Sequence, residues 1–244
     1  MQENFYKSQL NKKTSWRVVK GQAGAVMPGS ERAIARALEL RILELEVAEF
    51  LKDGSKRELG KLTPDMVAVI QSNIDDEVKH DEALNHAASV YNLATSKETS
   101  DAKYICREWI DHPDHPIAKT AVMESSLFFV LLPMFRFLTA KGGCLKATSQ
   151  DISNDVNIHA AVHRQMSKDL GLTVSPSLNK LRRDTVDWML ADLNSPGKWG
   201  SREMWMRSSD SLFEKGIAPE LASTGSYSMP AFFEIRSDNL PSYG

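Results

Sequence analysis

The sequence predicts an all-α protein: a four-helix bundle with a crossover connection and additional C-terminal helices. Three observations predict it. Long segments repeat their apolar residues at helical spacing and are bounded by capping residues and glycines. One segment, Ile117 to Lys141, is apolar almost throughout, as expected of a helix buried on all sides. Acids and histidines recur on the core-facing stripes of four of these segments.

The 244 residues suit one large domain, expected to comprise an N-terminal arm (1–29), a helical bundle (30–221) and an extended tail (222–244). Lys and Arg number 30 against 32 Asp and Glu, a net charge of −2 that gives no pull towards nucleic acid or an anionic membrane. Cys106 and Cys144 form no CxxC pair and no disulfide framework, so a reducing cytoplasm is expected. The polar N-terminus has no apolar leader segment, and the longest apolar run, Leu127 to Phe135, is shorter than the roughly 20 residues a membrane span needs.

The arm is expected to be irregular because of Gly21, Gly24, Pro28 and Gly29, with Trp16, Val18 and Val19 available to pin it to the core. A first long helix is expected from Ser30, a plausible N-cap, to Asp53, with Gly54 as its stop. Its stripe Leu38, Ile42, Leu45 continues into Glu46, while Glu44 stands close by. Thr63-Pro64-Asp65 opens a second helix, which carries Glu77 and His80 and runs to about Ala94. A shorter helix spans about 100–110. The loop Asp111-His112-Pro113-Asp114-His115-Pro116 reads as a turn rather than a metal motif, because each proline forces an extended neighbour and removes a donor. The third bundle helix, Ile117 to Lys141, holds Glu124 followed by eleven residues without charge, and Pro133 should kink it. The fourth, Ser149 to Leu170, carries Asp155, His159 and His163. Two outer helices, near 177–193 and 201–215, carry Trp188 and Trp205, with Trp199 just before the second.

Glu77 and His80 are three apart and therefore share one helix face; Asp155 and His159 are four apart. Together with Glu46 (Glu44 being the alternative) and Glu124 they make a set: Glu46, Glu77, His80, Glu124, Asp155 and His159. The same separation, 31 residues, lies between Glu46 and Glu77 and between Glu124 and Asp155, so two helical hairpins would return each pair to one height. A carboxylate from each of four helices, with two imidazoles, is the donor set of a dinuclear metal site in a bundle core. Hard carboxylates with imidazoles suit iron or manganese better than zinc or calcium.

Three stretches, IDDEVKHDEALNHAASVY, MESSLFFVLLPMFRFL and ISNDVNIHAAVHRQM, resemble the ferritin-like diiron-carboxylate superfamily, and within it the small subunit of class I ribonucleotide reductase. The end, PAFFEIRSDNLPSY, resembles a segment near that family's C-terminus. The resemblance implies two Fe or Mn ions (Fe/Fe, Mn/Fe or Mn/Mn), O2 and a small-molecule substrate, a redox partner and a homodimer; the charge balance and the short apolar run already lead us to expect no nucleic acid and no membrane as partners. Two departures stand out. Val156 occupies the place of the family's last glutamate, with Asp155 beside it as a substitute, and Leu84 occupies the place of the radical tyrosine. The order Asp-x-x-x-His is also similar to the heme-oxygenase-like diiron oxidases. The activity implied is therefore an O2-activating non-heme dimetal oxidase or oxygenase without a stored tyrosyl radical. The alternative is a metal-deficient helical protein with a structural or interaction role.

Overall fold

The computed structural model describes residues 2–216; the expected tail at 222–244 lies outside the described residues. The architecture is all-helical, and among the described residues there is no strand beyond an isolated antiparallel bridge, Val26 to Thr139. The helices are α1 (Gln2–Leu10), α2 (Glu31–Glu39), α3 (Ile42–Arg57), α4 (Pro64–Tyr91), α5 (Ser96–Asp111), α6 (Pro116–Met123), α7 (Phe129–Leu138), α8 (Cys144–Asp169), α9 (Pro176–Leu190) and α10 (Arg202–Gly216). A π-helical turn, Glu124–Phe128, joins α6 to α7.

Four rods surround the centre: α3, α4, the α6–π–α7 rod, and α8, each packing on its neighbours. Their starts follow local chemistry. The Thr63 hydroxyl accepts from the Met66 amide at 3.3 Å, with Pro64 at the first helical position. The Ser175 hydroxyl caps α9 through the Leu178 amide at 3.2 Å. Asn92 ends α4 in the left-handed conformation, φ 45°. The His112–Pro116 loop is indeed turn chemistry. His115 Nδ1 accepts from the Ile117 amide at the start of α6, and the Asp114 carboxylate accepts from the Ser175 amide at 2.8 Å.

Several expectations are corrected. The arm is not wholly irregular, since α1 occupies its first part, anchored by Tyr6, whose hydroxyl donates to Asp169 at 2.7 Å. Val19 does not pin the arm; it is 62% exposed. The single helix expected from 30 to 53 is two, because the chain breaks at Leu40–Arg41 and restarts at Ile42. Ser30 makes no side-chain cap. Gly54 is no stop: α3 runs through it to Arg57, and a Cβ there would lie 2.6 Å from Ile117 Cγ1. The glycine is needed because α6 approaches α3 closely at that point.

The rod from Pro116 to Leu138 is long and apolar enough to cross a membrane, but its most apolar stretch is 94% buried inside the fold, as the core helix of a soluble domain would be. Its change of winding comes at the π turn rather than at Pro133 alone. A π turn leaves carbonyls without their usual i+4 donors. The Ser126 carbonyl is met instead by the Ser209 hydroxyl of α10 at 2.6 Å. Ser209 in turn accepts from the buried Arg182, whose guanidinium also pairs with Asp210 at 2.6 Å. The outer helices therefore brace the irregular turn, and Trp205 is fully buried beneath them.

Gly54→Ala should lower stability, by up to about 2 kcal/mol in urea unfolding. Helix propensity alone favours alanine by ~1 kcal/mol, but overpacking against Ile117 costs about 1–3 kcal/mol. A net stabilisation would show that the close contact is absent.

Candidate metal centre

The first donor comes from α3. Its buried stripe is Leu43, Glu44, Val47, Ala48 and Leu51, whereas Leu45 is 43% exposed. The restart at Ile42 sets this register. It turns Glu44 into the core at 1% exposure and leaves Glu46 partly exposed on another face, beside Glu49 and Lys119. Glu46 is therefore not brought to the cluster, and Glu44 takes its place.

From α4 come Glu77 and His80, from the π turn Glu124, and from α8 His159, all at 0% exposure. Glu77 lies between the two imidazoles, with Oε2 3.1 Å from His80 Nδ1 and Oε1 3.0 Å from His159 Nδ1. Glu44 Oε2 stands 3.5 Å from His80 Nδ1, and Glu124 Oε1 stands 3.3 Å from His159 Nδ1. The ring centroids are 5.7 Å apart. The cluster is thus two similar halves sharing one carboxylate.

Each half has a second carboxylate behind its histidine. Asp155 Oδ2 is 3.2 Å from His80 Nε2, and Asp76 Oδ2 is 3.2 Å from His159 Nε2. A carboxylate only accepts, so Nε2 carries the proton in both rings. Nδ1, facing the glutamates, is left to hold either a cation or a second proton. Asp155, expected as a ligand, accordingly stands behind His80 and belongs to neither group of converging donors. Val156, three residues before His159 and so on the same face, is fully buried and presents an isopropyl group there instead of a carboxylate.

The supporting shell reaches further. Trp16 Nε1 donates to Asp155 Oδ2 at 2.7 Å, and its ring stacks on His80 at 6.1 Å between centroids. Lys13 forms an ion pair with Asp76, and Lys79 forms a second at 2.7 Å. Lys13 also donates to the Asn73 side-chain oxygen, which turns the Asn73 amide nitrogen towards His163 Nε2 at 3.0 Å. His163 is buried in the second ring of contacts and reaches neither group. Asp76 and Lys13 escape a reading by separate motifs, yet a signal existed. Asp-x-x-x-His occurs within a predicted bundle helix at Asp76…His80 and at Asp155…His159, and each aspartate supports the histidine of the other helix.

Burial and repulsion from Glu77 push the Glu44 and Glu124 carboxyls up, to about 8 and about 7, against the opposing pull of the histidines. Burial opposes charge on His80 and His159, but Glu77 and Glu124 respectively, with the aspartates behind, hold both rings protonated well above the usual histidine range. Burial would likewise raise Glu77 and Asp76, yet the imidazoles around both, and the two lysines on Asp76, keep them ionised below the usual carboxylate range. Burial and neighbouring His159 push His163 down to about 3, so it is neutral.

Both oxygens of Glu44, and Glu124 Oε2, make no hydrogen bond within the described residues although they are buried. Unpaired buried carboxylate oxygens are costly and call for a cation or a proton. Glu44, Glu77 and His80 offer donor atoms within 4.8 Å of one another, as do Glu77, Glu124 and His159. Metal bonds of about 2.1 Å place ligand atoms within such a span. The residues therefore fit two metal ions sharing Glu77. No protein-family model matches the chain, and no curated protein matches it. The metal-binding reading thus rests on this donor geometry alone.

Glu44 and Glu124 have folded pKa values above their ordinary 4.5, and the two histidines are raised as well. The native state then binds more protons than the unfolded chain at neutral pH. That contribution is present at acid pH and is lost as pH rises through about 7 to 8. The melting temperature of protein stripped of metal should fall between about pH 6 and pH 9, and Glu44→Gln with Glu124→Gln should flatten the slope. A melting temperature independent of pH over that range would contradict the assignment.

Proposed function

We propose that this chain is a non-heme dimetal oxidase or oxygenase that activates O2 at the Glu44–Glu77–His80 and Glu77–Glu124–His159 groups. One observation carries the reading. Three carboxylates and two imidazole nitrogens converge at 0–1% exposure, with carboxylate oxygens that nothing among the described residues satisfies. The donor set favours iron or manganese. Such ions, when bound, would supply Lewis acidity and relay to O2 the electrons that a redox partner provides.

The chain's own residues have distinct tasks in this reading. Glu77 bridges the halves. Glu44 and Glu124 each close one half, and their raised proton affinity lets them exchange a proton for a cation as metal enters. Asp155 and Asp76 fix the Nε2–H tautomer and ring orientation of His80 and His159. The buried surroundings, including Val156, Leu84 and Phe128, exclude water. In this reading the substrate is a small molecule, electrons come from a redox partner, the protein is a homodimer, and the unpaired Cys106 and Cys144 suit a reducing cytoplasm. Leu84 offers no phenol, so the reading involves no stored tyrosyl radical at that position.

A second reading, a metal-deficient helical protein with a structural or interaction role, is favoured by Val156. Three cluster carboxylates are fewer than the four of the family it resembles.

Anaerobic loading with Fe2+ or Mn2+, followed by metal analysis, separates the two. The oxidase reading expects about two ions per chain. Glu77→Ala should abolish uptake because it serves both groups, Glu44→Ala and Glu124→Ala should each remove one ion, and Glu46→Ala should change nothing. Exposure of iron-loaded protein to air should then give absorption and Mössbauer signals of a coupled ferric pair. If neither metal binds stoichiometrically, or Glu77→Ala keeps the wild-type metal content, the oxidase reading falls.

A further inference from the structure

The arm between Leu10 and Gly21 is held firmly at both ends and, in the middle, through side chains rather than backbone bonds. Before it, Tyr6 is buried and bonded to Asp169. After it, the Gly21 carbonyl lies 2.8 Å from His86 Nε2, the Gln22 carbonyl accepts from the Cys144 amide, and Gly24 crosses Gly143 so closely that a Cβ on either would clash. Within the described residues, 14–20 make no backbone–backbone hydrogen bond. Asn11, Lys12, Thr14, Ser15, Arg17, Val19 and Lys20 are exposed, whereas Lys13 and Trp16 reach inwards, three residues apart.

Those two side chains take hold of the two aspartates that stand behind the histidines. Lys13 is on Asp76, and through it on His159; Trp16 is on Asp155, and through it on His80. Lys79 ties the two grips together. It pairs with Asp76 at 2.7 Å and lies over the Trp16 ring at 5.4 Å. A segment with few backbone bonds and mostly exposed side chains opens locally at low free-energy cost. Opening it would release both aspartates at once while leaving Glu44, Glu77 and Glu124 in place.

We infer that residues 11–20 form a retention strap. Lys13, Trp16 and Asp76 are positioning residues that lock the two histidines, and metal exchange at the buried centre proceeds through opening of the strap. The inference rests on the dimetal reading above. Removing a group that orients a metal-bound histidine typically changes metal affinity 10- to 100-fold.

The test uses the full chain loaded anaerobically with Fe2+ and mixed with an Fe2+-specific chromogenic chelator in excess. Lys13→Ala and Trp16→Ala should each release iron about 10- to 100-fold faster than wild type, and Lys13→Arg should restore slow release. Asp76→Asn tests the same lock from the bundle side, without altering the arm. Trypsin cleavage after the exposed Arg17 and Lys20 should be faster in metal-free than in metal-loaded wild type, a protection that a purely structural contact would not produce. If the protein holds two ions and the three disruptive variants release them within about twofold of wild type, or if strap protection is the same with and without metal, the strap is overturned and the dimetal reading stands. If wild type holds no iron, both fall together.

Discussion

Charge balance in a dry core is the constraint from which the rest of this structure follows. Five ionisable groups, Glu44, Glu77, Glu124, His80 and His159, lie where water does not reach. An isolated charge there would be prohibitive, so each must be met by an opposite charge, a proton or a cation. The geometry answers with alternation: carboxylate, imidazole, shared carboxylate, imidazole, carboxylate. The two outer aspartates extend the series, and Lys13 and Lys79 end it on the Asp76 side, near the surface.

Helix register does the placing. Glu44 faces inwards only because α3 restarts at Ile42, and Glu124 enters at a π turn that would leave a carbonyl unmet without Ser209. These are local irregularities in otherwise regular rods. Both carry a donor of the cluster, as expected where backbone departures serve a site. The outer helices α9 and α10 have a comparable part: Arg182, Asp210 and Ser209 form a buried polar network whose last hydrogen bond is to the irregular turn.

Much of this was legible in the sequence, and the misses have physical causes. Thr63-Pro64 announces α4, and Glu77, His80, Glu124 and His159 are visible because charge is rare on apolar stripes. Carrying the stripe Leu38, Ile42, Leu45 on to Glu46 assumes one unbroken helix from Ser30 to Asp53. The break at Leu40–Arg41 shifts that register, and the stripe Leu43, Val47, Leu51 points to Glu44. Asp155, next to Val156, stands in sequence where a substitute for the missing carboxylate would be sought. Adjacent residues on a helix lie about 100° apart, however, so Asp155 reaches the far nitrogen of a different histidine. Gly54 looked like punctuation because packing between α3 and α6 leaves no local trace. The contacts of Lys13 and Trp16 are tertiary and join positions far apart in the chain, where no periodicity leads.

The widened turn at Glu124–Phe128 has a consequence for how this protein can vary. It holds one residue more than regular winding needs, so the two parts of the long apolar rod are out of phase by about 100°. Trimming a single residue there would return the rod to uniform winding, yet it would swing the aromatic and aliphatic faces of Phe129–Leu138 away from their present neighbours. The rod is therefore two surfaces cut to different partners, one matched to the acidic centre and the other to the tryptophan-rich outer layer. Length changes at this joint would be felt in both.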